Sequence, residues 1–403
     1  MSRQRPPALD LPAPDAEARA HSETLQARIR QAIESADGWL PFDRYMTMAL
    51  YEPGLGYYSA GAPRFGSGGD FTTAPLISPL FGRTLAHTVQ RTLQALELPA
   101  GEGEVMELGA GTGRMAADLL LELEGLEQLP ARYLILEVSA ALRQEQRNTL
   151  AEHAPHLLER VEWLEALPEA PISGVILANE VLDALPFRCF QREDAHILER
   201  GVALNEGGQL HWTPRPADDD LAEHVRHIEH ETGQRLPAGY RSECLPQLAE
   251  WLRDTTRCLA RGLVLYIDYG YPRREYYLPD RHMGTLLCHY RHRAHEDPFF
   301  WPGLQDITAF VDFTAVAEAA LAADLDVLGF TSQAQYLLAA GLPQLADAAM
   351  AKHDDDMHRL RIAQEVRRLT LPAELGERFK VLPLGRDLPP LPEFIQTDQR
   401  HRL

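Results

Sequence analysis

The chain has 403 residues, enough to bury a large core without disulfide or metal staples. With 45% hydrophobic and 24% charged residues it has a globular balance, which excludes a disordered or fibrous chain. A formal charge of -20, from 59 acidic against 39 basic side chains, argues against nucleic acid as a partner, because binding a phosphate backbone needs clustered Lys and Arg.

Residues 1–20 read as a flexible, Pro-punctuated leader that lacks the apolar core of a secretory signal. Over 21–36, Leu25, Ile29 and Ile33 fall at helical spacing. Residues 45–70 are rich in Gly, Pro and Tyr and read as turns and a mobile loop. A helix running to about Leu96 follows, with Ser78 as its N-cap and Pro79 as its first residue. Short apolar runs then alternate with helical patterns, the mark of an α/β fold whose mostly parallel sheet carries helices on both faces. Strands are expected at 105–108, 132–136, 174–178 and 262–268, with helices over 114–125 and 140–153. Polar alternation over 187–216, with a turn at Asn205 to Gly208, predicts an inserted antiparallel hairpin. A long non-repeating stretch, 269–312, precedes a helix near 313–323, a helical region over 331–371 and a final strand at 379–382. No uncharged apolar run approaches the roughly 20 residues that span a bilayer, so the chain is not expected to be an integral membrane protein.

The strongest motif is residues 105–113, an apolar strand that carries Glu107 and runs into Gly109, Gly111 and Gly113 ahead of a helix. Glycines there let the backbone turn sharply and approach a ligand with no Cβ in the way. A nicotinamide fingerprint would place its third glycine at 114, where Arg114 stands, whereas Gly113 fits the tighter GxGxG of methyltransferases. Such a loop passes the aminocarboxypropyl arm of S-adenosylmethionine instead of cradling phosphates. Glu137 follows the next strand, where a carboxylate accepts hydrogen bonds from ribose hydroxyls.

Asn179, Glu180 and Asp183 stand at the carboxyl end of the 174–178 strand, where open α/β sheets place ligands and reacting groups. Toward a guanidinium, Glu180 and Asp183 would act by charge-assisted hydrogen bonds; the plainer reading makes Asp183 a helix cap. Asp268 ends the 262–268 strand and should face the same rim. The Tyr- and Arg-bearing loop 271–277 either shapes an acceptor channel or packs as a surface loop. Cys189, Cys244, Cys258 and Cys288 form no CxxC pair and fit buried thiols in a reducing cytoplasmic setting. His282, His289, His292 and His295 lack a zinc spacing, so no metal site is expected.

Together these blocks resemble the MidA family of class I methyltransferases. The likeness rests on residues 69–75 and 77–82, the glycine loop, Glu137-Val138-Ser139, and the Asn-Glu-Val-Leu-Asp-Ala-Leu-Pro run at 179–186. It continues through 267–270, the His-Tyr-Arg block within 284–291, Asp306 to Thr308, 311–313 and 331–333, so that it spans roughly residues 40–383. The resemblance implies a Rossmann-like sheet of seven strands, S-adenosyl-L-methionine as methyl donor, and an arginine of a partner protein, a complex I-type subunit, as acceptor. It further implies a lid at 66–73 with Asp70, Thr72 and Thr73 on the cofactor. Glu107, Gly109, Gly111, Gly113, Glu137, Val138 and Asn179 complete the cofactor contacts. Glu180 is the first candidate for proton removal, with Asp183 and Asp268 behind it.

The expected division is a leader at 1–20, an N-terminal helical and lid region at 21–96 and a SAM-binding core at 97–186. An insertion with connecting helices at 187–261 follows, then the remainder of the core with a helical C-terminal addition at 262–403. The C-terminal helices complete the core or support an oligomer. The leader is unlike a mitochondrial presequence, which fits a bacterial-type cytoplasmic member. Two alternatives stay open: a non-catalytic SAM-binding assembly factor, and a small-molecule methyltransferase, for which a closed aromatic pocket is expected.

Overall fold

Side chains alternate along each central strand, and the alternation sorts them between two cores. Val105, Tyr133, Ile135, Val175, Leu177, Leu263 and Leu265 face the helices Pro79–Ala95, Arg114–Gly125 and Gln333–Ala340. Met106, Leu134, Ile176, Val264 and Tyr266 face Leu248–Thr256 and Phe313–Ala322 on the other side. A sheet apolar on both faces has to be covered on both, which accounts for the three-layer architecture in this computed structural model, which describes residues 11–60, 73–352 and 355–403. Asp70, Thr72 and most of the expected lid lie outside the described residues, as do residues 1–10.

The sheet runs in the order Val161–Leu164, Arg132–Leu136, Glu104–Leu108, Ile172–Asn179, Leu259–Tyr271, Phe379–Arg386, Asp326–Val327. The first five are parallel, and Phe379–Arg386 runs antiparallel between Leu259–Tyr271 and Asp326–Val327. The path has the seven strands expected from the resemblance, and two short strands off it, Val311–Asp312 beside Leu259–Tyr271 and Thr331–Ser332 beside Phe379–Arg386, bring the sheet to nine. The chain steps outward from Glu104–Leu108 to Val161–Leu164 and then crosses to Ile172–Asn179 on the opposite side, which opens a crevice where the order reverses. At the far, amino-terminal end, Gly174 has φ 151° and a Cβ there would sit 2.0 Å from Glu104 O, so only glycine lets these two strands approach.

Several boundaries differ from expectation. The first helix spans Ala16–Ser35 and begins inside the segment read as leader, because the Asp15 carboxylate accepts the Ala18 amide and caps it. Residues 45–51, read as loop, belong to the helix Phe42–Tyr51, whose buried Phe42, Tyr45, Met46, Ala49 and Leu50 follow the helical period. The expected hairpin is part of a five-stranded antiparallel sheet in which Ile197–Leu204 pairs with Arg188–Arg192, Leu210–Pro216 and Leu40–Pro41. A small sheet of Leu287–Tyr290, Arg293–His295 and Asp306–Thr308 lies within the stretch that showed no repeat. These pieces share one core with the first two helices, built on Leu25, Phe42, Phe187, Val202, Cys288 and Ile307. The four cysteines are free and buried. No helix among the described residues is long and apolar enough to cross a membrane.

Candidate active site

A cavity of about 510 Å³ opens at the carboxyl ends of the central strands, in the crevice where strand order reverses. Its floor is the turn from Glu104–Leu108 into Arg114–Gly125. Gly109, Gly111 and Gly113 have φ 63°, 53° and 82°, a left-handed run that side chains resist. A Cβ on Gly113 would stand 3.0 Å from Gln146 Cα, whereas Gly109 lines the cavity with only Val181 Cγ2 nearby, at 3.5 Å. The loop therefore presents bare backbone to a ligand.

Glu137 sits beside it, 7% exposed, at the end of Arg132–Leu136. Its Oε1 accepts the Ser139 amide at 2.8 Å and its Oε2 accepts Gln146 Nε2 at 3.2 Å. That same nitrogen donates to Gly111 O at 3.0 Å, and Gln146 Oε1 accepts Trp163 Nε1 at 2.9 Å. Val138 is 70% exposed on the cavity wall, an unusual place for an apolar residue. Glu107, 2% exposed, receives the Tyr133 hydroxyl at 2.6 Å, and burial lifts its pKa to about 7. Thr73 occupies the N-cap position of Ala74–Ile77 and lines the same cavity.

The opposite wall is the turn after Ile172–Asn179. Glu180 takes a left-handed φ of 55°, held by its amide bond to Ile267 O at 2.9 Å. Asn179 Nδ2 donates to Glu180 Oε1 at 3.2 Å. Burial, then the charges of Asp183 and Asp306, push the Glu180 pKa to about 8. Asp183 is raised to about 6 by burial, against the Tyr269 hydroxyl and backbone amides that pull it down. Its Oδ1 and the Asn179 Oδ1 are buried without a hydrogen-bond partner among the described residues, on side chains that line the cavity.

Asp268 was expected on this rim and is placed behind it. It is 1% exposed and absent from the cavity wall; its Oδ2 accepts the Leu182 and Asp183 amides at 2.9 and 3.2 Å, and its Oδ1 accepts the Tyr269 amide at 2.9 Å. A strand-end carboxylate that meets a turn with free amides is drawn to them before it reaches solvent. The wall also holds Tyr51, Tyr58 and Asp306, none of them singled out from sequence. Asp306 opens a family-like block, but only the tertiary fold brings its strand across the cavity. The His cluster gathers no metal-binding group, and none is formed by His, Cys, Asp or Glu among the described residues.

The strand order, the glycine turn at the switch point and the acidic residue ending the next strand define a class I methyltransferase. Residues 84–331 match the S-adenosyl-L-methionine-dependent methyltransferase family, and the chain belongs to it. The fold is shared with a crystallised Burkholderia thailandensis protein bound to S-adenosyl-homocysteine, at TM-score 0.90 and 45% identity over 98% of this chain and 100% of that one. Among curated relatives, the mitochondrial protein arginine methyltransferase NDUFAF7 homolog of Drosophila melanogaster is 30% identical, over 92% of this chain and 87% of its own length. The human protein arginine methyltransferase NDUFAF7, also mitochondrial, is 26% identical over 84% and 78%. These mitochondrial names correct the cytoplasmic location expected above: buried thiols report local packing, not an address.

The donor set fits S-adenosylmethionine. Gly109 and Gly111 line the cavity in left-handed conformations, a Cβ on Gly109 would meet only Val181 Cγ2, Glu137 lies beside them on the wall, and among the described residues the buried Asn179 Oδ1 has no donor.

Proposed function

We propose that this methyltransferase acts on an arginine side chain of a partner protein, with a complex I-type subunit as the acceptor to test first. The observation that carries the reading is the Glu180 and Asp183 pair, a half-buried and a buried carboxyl on the wall of the cofactor cavity, with the Asp183 charge disfavouring ionisation of Glu180. Such a pair is relieved by a cation. The protein arginine methyltransferase names of the relatives support the same acceptor.

In this reading Gly109, Gly111 and Gly113 hold the cofactor's amino-acid arm, Glu107 faces its ammonium, and Glu137 takes the ribose hydroxyls. Val138, Asn179 and Thr73 complete the contacts, with Asp70 and Thr72 assigned to it from sequence. Bound S-adenosylmethionine supplies an electrophilic methyl group on a sulfonium. Glu180 and Asp183 orient the guanidinium and concentrate electron density on the attacking nitrogen. Methylating a guanidinium releases one proton, because the product is again a cation, and a Glu180 oxygen receives it. Asp268 serves as a positioning residue that fixes the turn carrying Glu180 and Asp183.

The test is incubation of the purified protein with S-adenosylmethionine and isolated complex I subunits, read by peptide mass spectrometry. Methylarginine that disappears in Glu180→Gln is the expected result. Methyl groups confined to other side chains, or none at all, would refute the arginine reading.

A further inference from the structure

The cofactor contacts use the glycine-loop side of the cavity and leave unused a wall built from the N-terminal cap and the small sheet. There Tyr51 and Tyr58 stack with ring centroids 5.6 Å apart and an interplanar angle of 22°. Backbone bonds from Tyr57 to Ala49 and from Tyr58 to Leu50 fold the chain back over the end of Phe42–Tyr51. The turn needs Gly56, where a Cβ would lie 2.5 Å from the Glu52 nitrogen. Both hydroxyls are committed: Tyr51 donates to Ala184 O at 2.8 Å, within the turn that carries Asp183, and Tyr58 donates to Asp306 Oδ1 at 2.9 Å. The Ile307 amide reaches that same oxygen at 3.0 Å, so Asp306, 2% exposed, is held rigidly in the wall.

Three carboxyls thus converge on one space, Glu180 and Asp183 from the central sheet and Asp306 from the cap. Asp306 is near enough that its charge raises the pKa of Glu180 and of both tyrosines. Among the described residues no Lys, and no Arg other than Arg114 of the glycine-loop helix, lines the cavity. Arg114 is engaged with Asp118 at 2.8 Å. Asp183 Oδ1 is buried without a hydrogen-bond partner among the described residues. Crowding three carboxyls, two of them buried, into one cavity is costly unless a cation enters among them. The stacked rings favour one that is flat and weakly hydrated, the property that separates a guanidinium from an ammonium.

We infer that Asp306, aimed by Tyr58 and flanked by the Tyr51 ring, is an acceptor-recognition residue that selects a planar guanidinium side chain over a lysine. The inference rests on the arginine reading above and adds to it the residues that choose the acceptor. The small sheet then does more than cover the central one: it brings a third carboxyl to face the two on the turn, so that an extended side chain entering between them meets all three.

The experiment uses the full chain saturated with S-adenosylhomocysteine and follows binding of three small probes by ligand-observed NMR: N-acetyl-arginine amide, its neutral isostere N-acetyl-citrulline amide, and N-acetyl-lysine amide. The arginine probe is expected to bind at least about tenfold more tightly than either other probe. Asp306→Asn, which keeps an oxygen for Tyr58 and the Ile307 amide but drops the charge, should weaken the arginine probe by about tenfold or more. Tyr58→Phe should weaken it less, and S-adenosylhomocysteine affinity should hold in both variants, which shows the fold intact. Equal binding of arginine and lysine probes, absence of arginine binding, or an unchanged affinity in Asp306→Asn and Tyr58→Phe would overturn the inference. Methylarginine on a protein acceptor together with any of these results leaves the transfer reading standing, whereas selective arginine binding without methylarginine on any acceptor leaves recognition standing and removes transfer.

Discussion

Gln146 donates one side-chain nitrogen to both Glu137 Oε2 and Gly111 O, at 3.2 and 3.0 Å, and so ties the strand-end carboxylate to the glycine turn. Its other end accepts Trp163 Nε1 at 2.9 Å, and the Arg147 guanidinium caps that indole at 4.4 Å. Gln146→Leu keeps the volume but leaves an indole N–H and a carbonyl unpaired, at about 1–3 kcal/mol of stability. The expected readout is a lower unfolding midpoint in urea together with roughly tenfold weaker S-adenosylhomocysteine binding by calorimetry. A variant that binds as tightly as the parent would show that the bridge does not organise the cofactor site.

Glu180 makes activity and stability move in opposite directions with pH. In its proposed role of proton acceptor it works deprotonated, so kcat/KM should climb through about pH 8 and level above it. A bound cation favours the carboxylate, so the limb in kcat should lie at lower pH than the limb in kcat/KM. For stability the sign reverses. The native carboxyl keeps its proton up to about 8, while in the unfolded chain it loses it near the ordinary 4.5. Between those values the native state binds more protons, so this group's contribution falls as pH rises. Glu180→Gln should therefore raise the melting temperature relative to the parent most strongly above about pH 8, while turnover drops about a hundredfold or more. A melting difference that does not depend on pH would mean the carboxyl is not held protonated.

The central sheet was readable because burial on both faces writes continuous apolar runs, and the helices Arg114–Gly125 and Ala140–His153 stand where the pattern put them. Val161–Leu164 was missed: as an edge strand with one fully buried residue it has no such run. The floor of the site was legible for the same reason that glycines are, since each marks a backbone angle and not a contact. The cap was not. Tyr58 and Asp306 meet only because a two-residue strand, Leu40–Pro41, pairs with the insertion and a short strand at Asp306–Thr308 pairs with Leu287–Tyr290. Partners so far apart in sequence leave no local period. Asp268 shows the converse: its position at a strand end was right, and its direction was decided by amides that no pattern reveals.

Gly109 separates cofactor space from folding. With φ 63° it would strain any other residue by about 1–2 kcal/mol, yet only Val181 Cγ2 lies near its would-be Cβ. Gly109→Val should thus fold, with a modestly lower melting temperature, and lose detectable S-adenosylmethionine binding in a calorimetric titration. Undiminished binding would move the cofactor away from this turn.

Asp268→Asn tests the difference between a positioning carboxylate and one that meets the substrate. The native side chain accepts three amides, two at Oδ2 and one at Oδ1, and an asparagine oxygen serves only one side. The amide nitrogen must then face either Tyr269 or the Leu182 and Asp183 pair, donor against donor, at about 1–3 kcal/mol. Because that cost falls on the turn that carries Glu180, kcat should drop while S-adenosylhomocysteine affinity, which the proposed reading assigns to the glycine loop and Glu137, changes little. The pH profile supplies the decisive contrast. Burial and then the charges of Asp183 and Glu180 raise Asp268, whereas Glu180 is raised first by burial and then by Asp183 and Asp306. The activity limb near pH 8 should consequently survive in Asp268→Asn and vanish in Glu180→Gln. If the limb vanished in Asp268→Asn as well, the proton would be passing through Asp268, and the turn it supports would be part of the proton path.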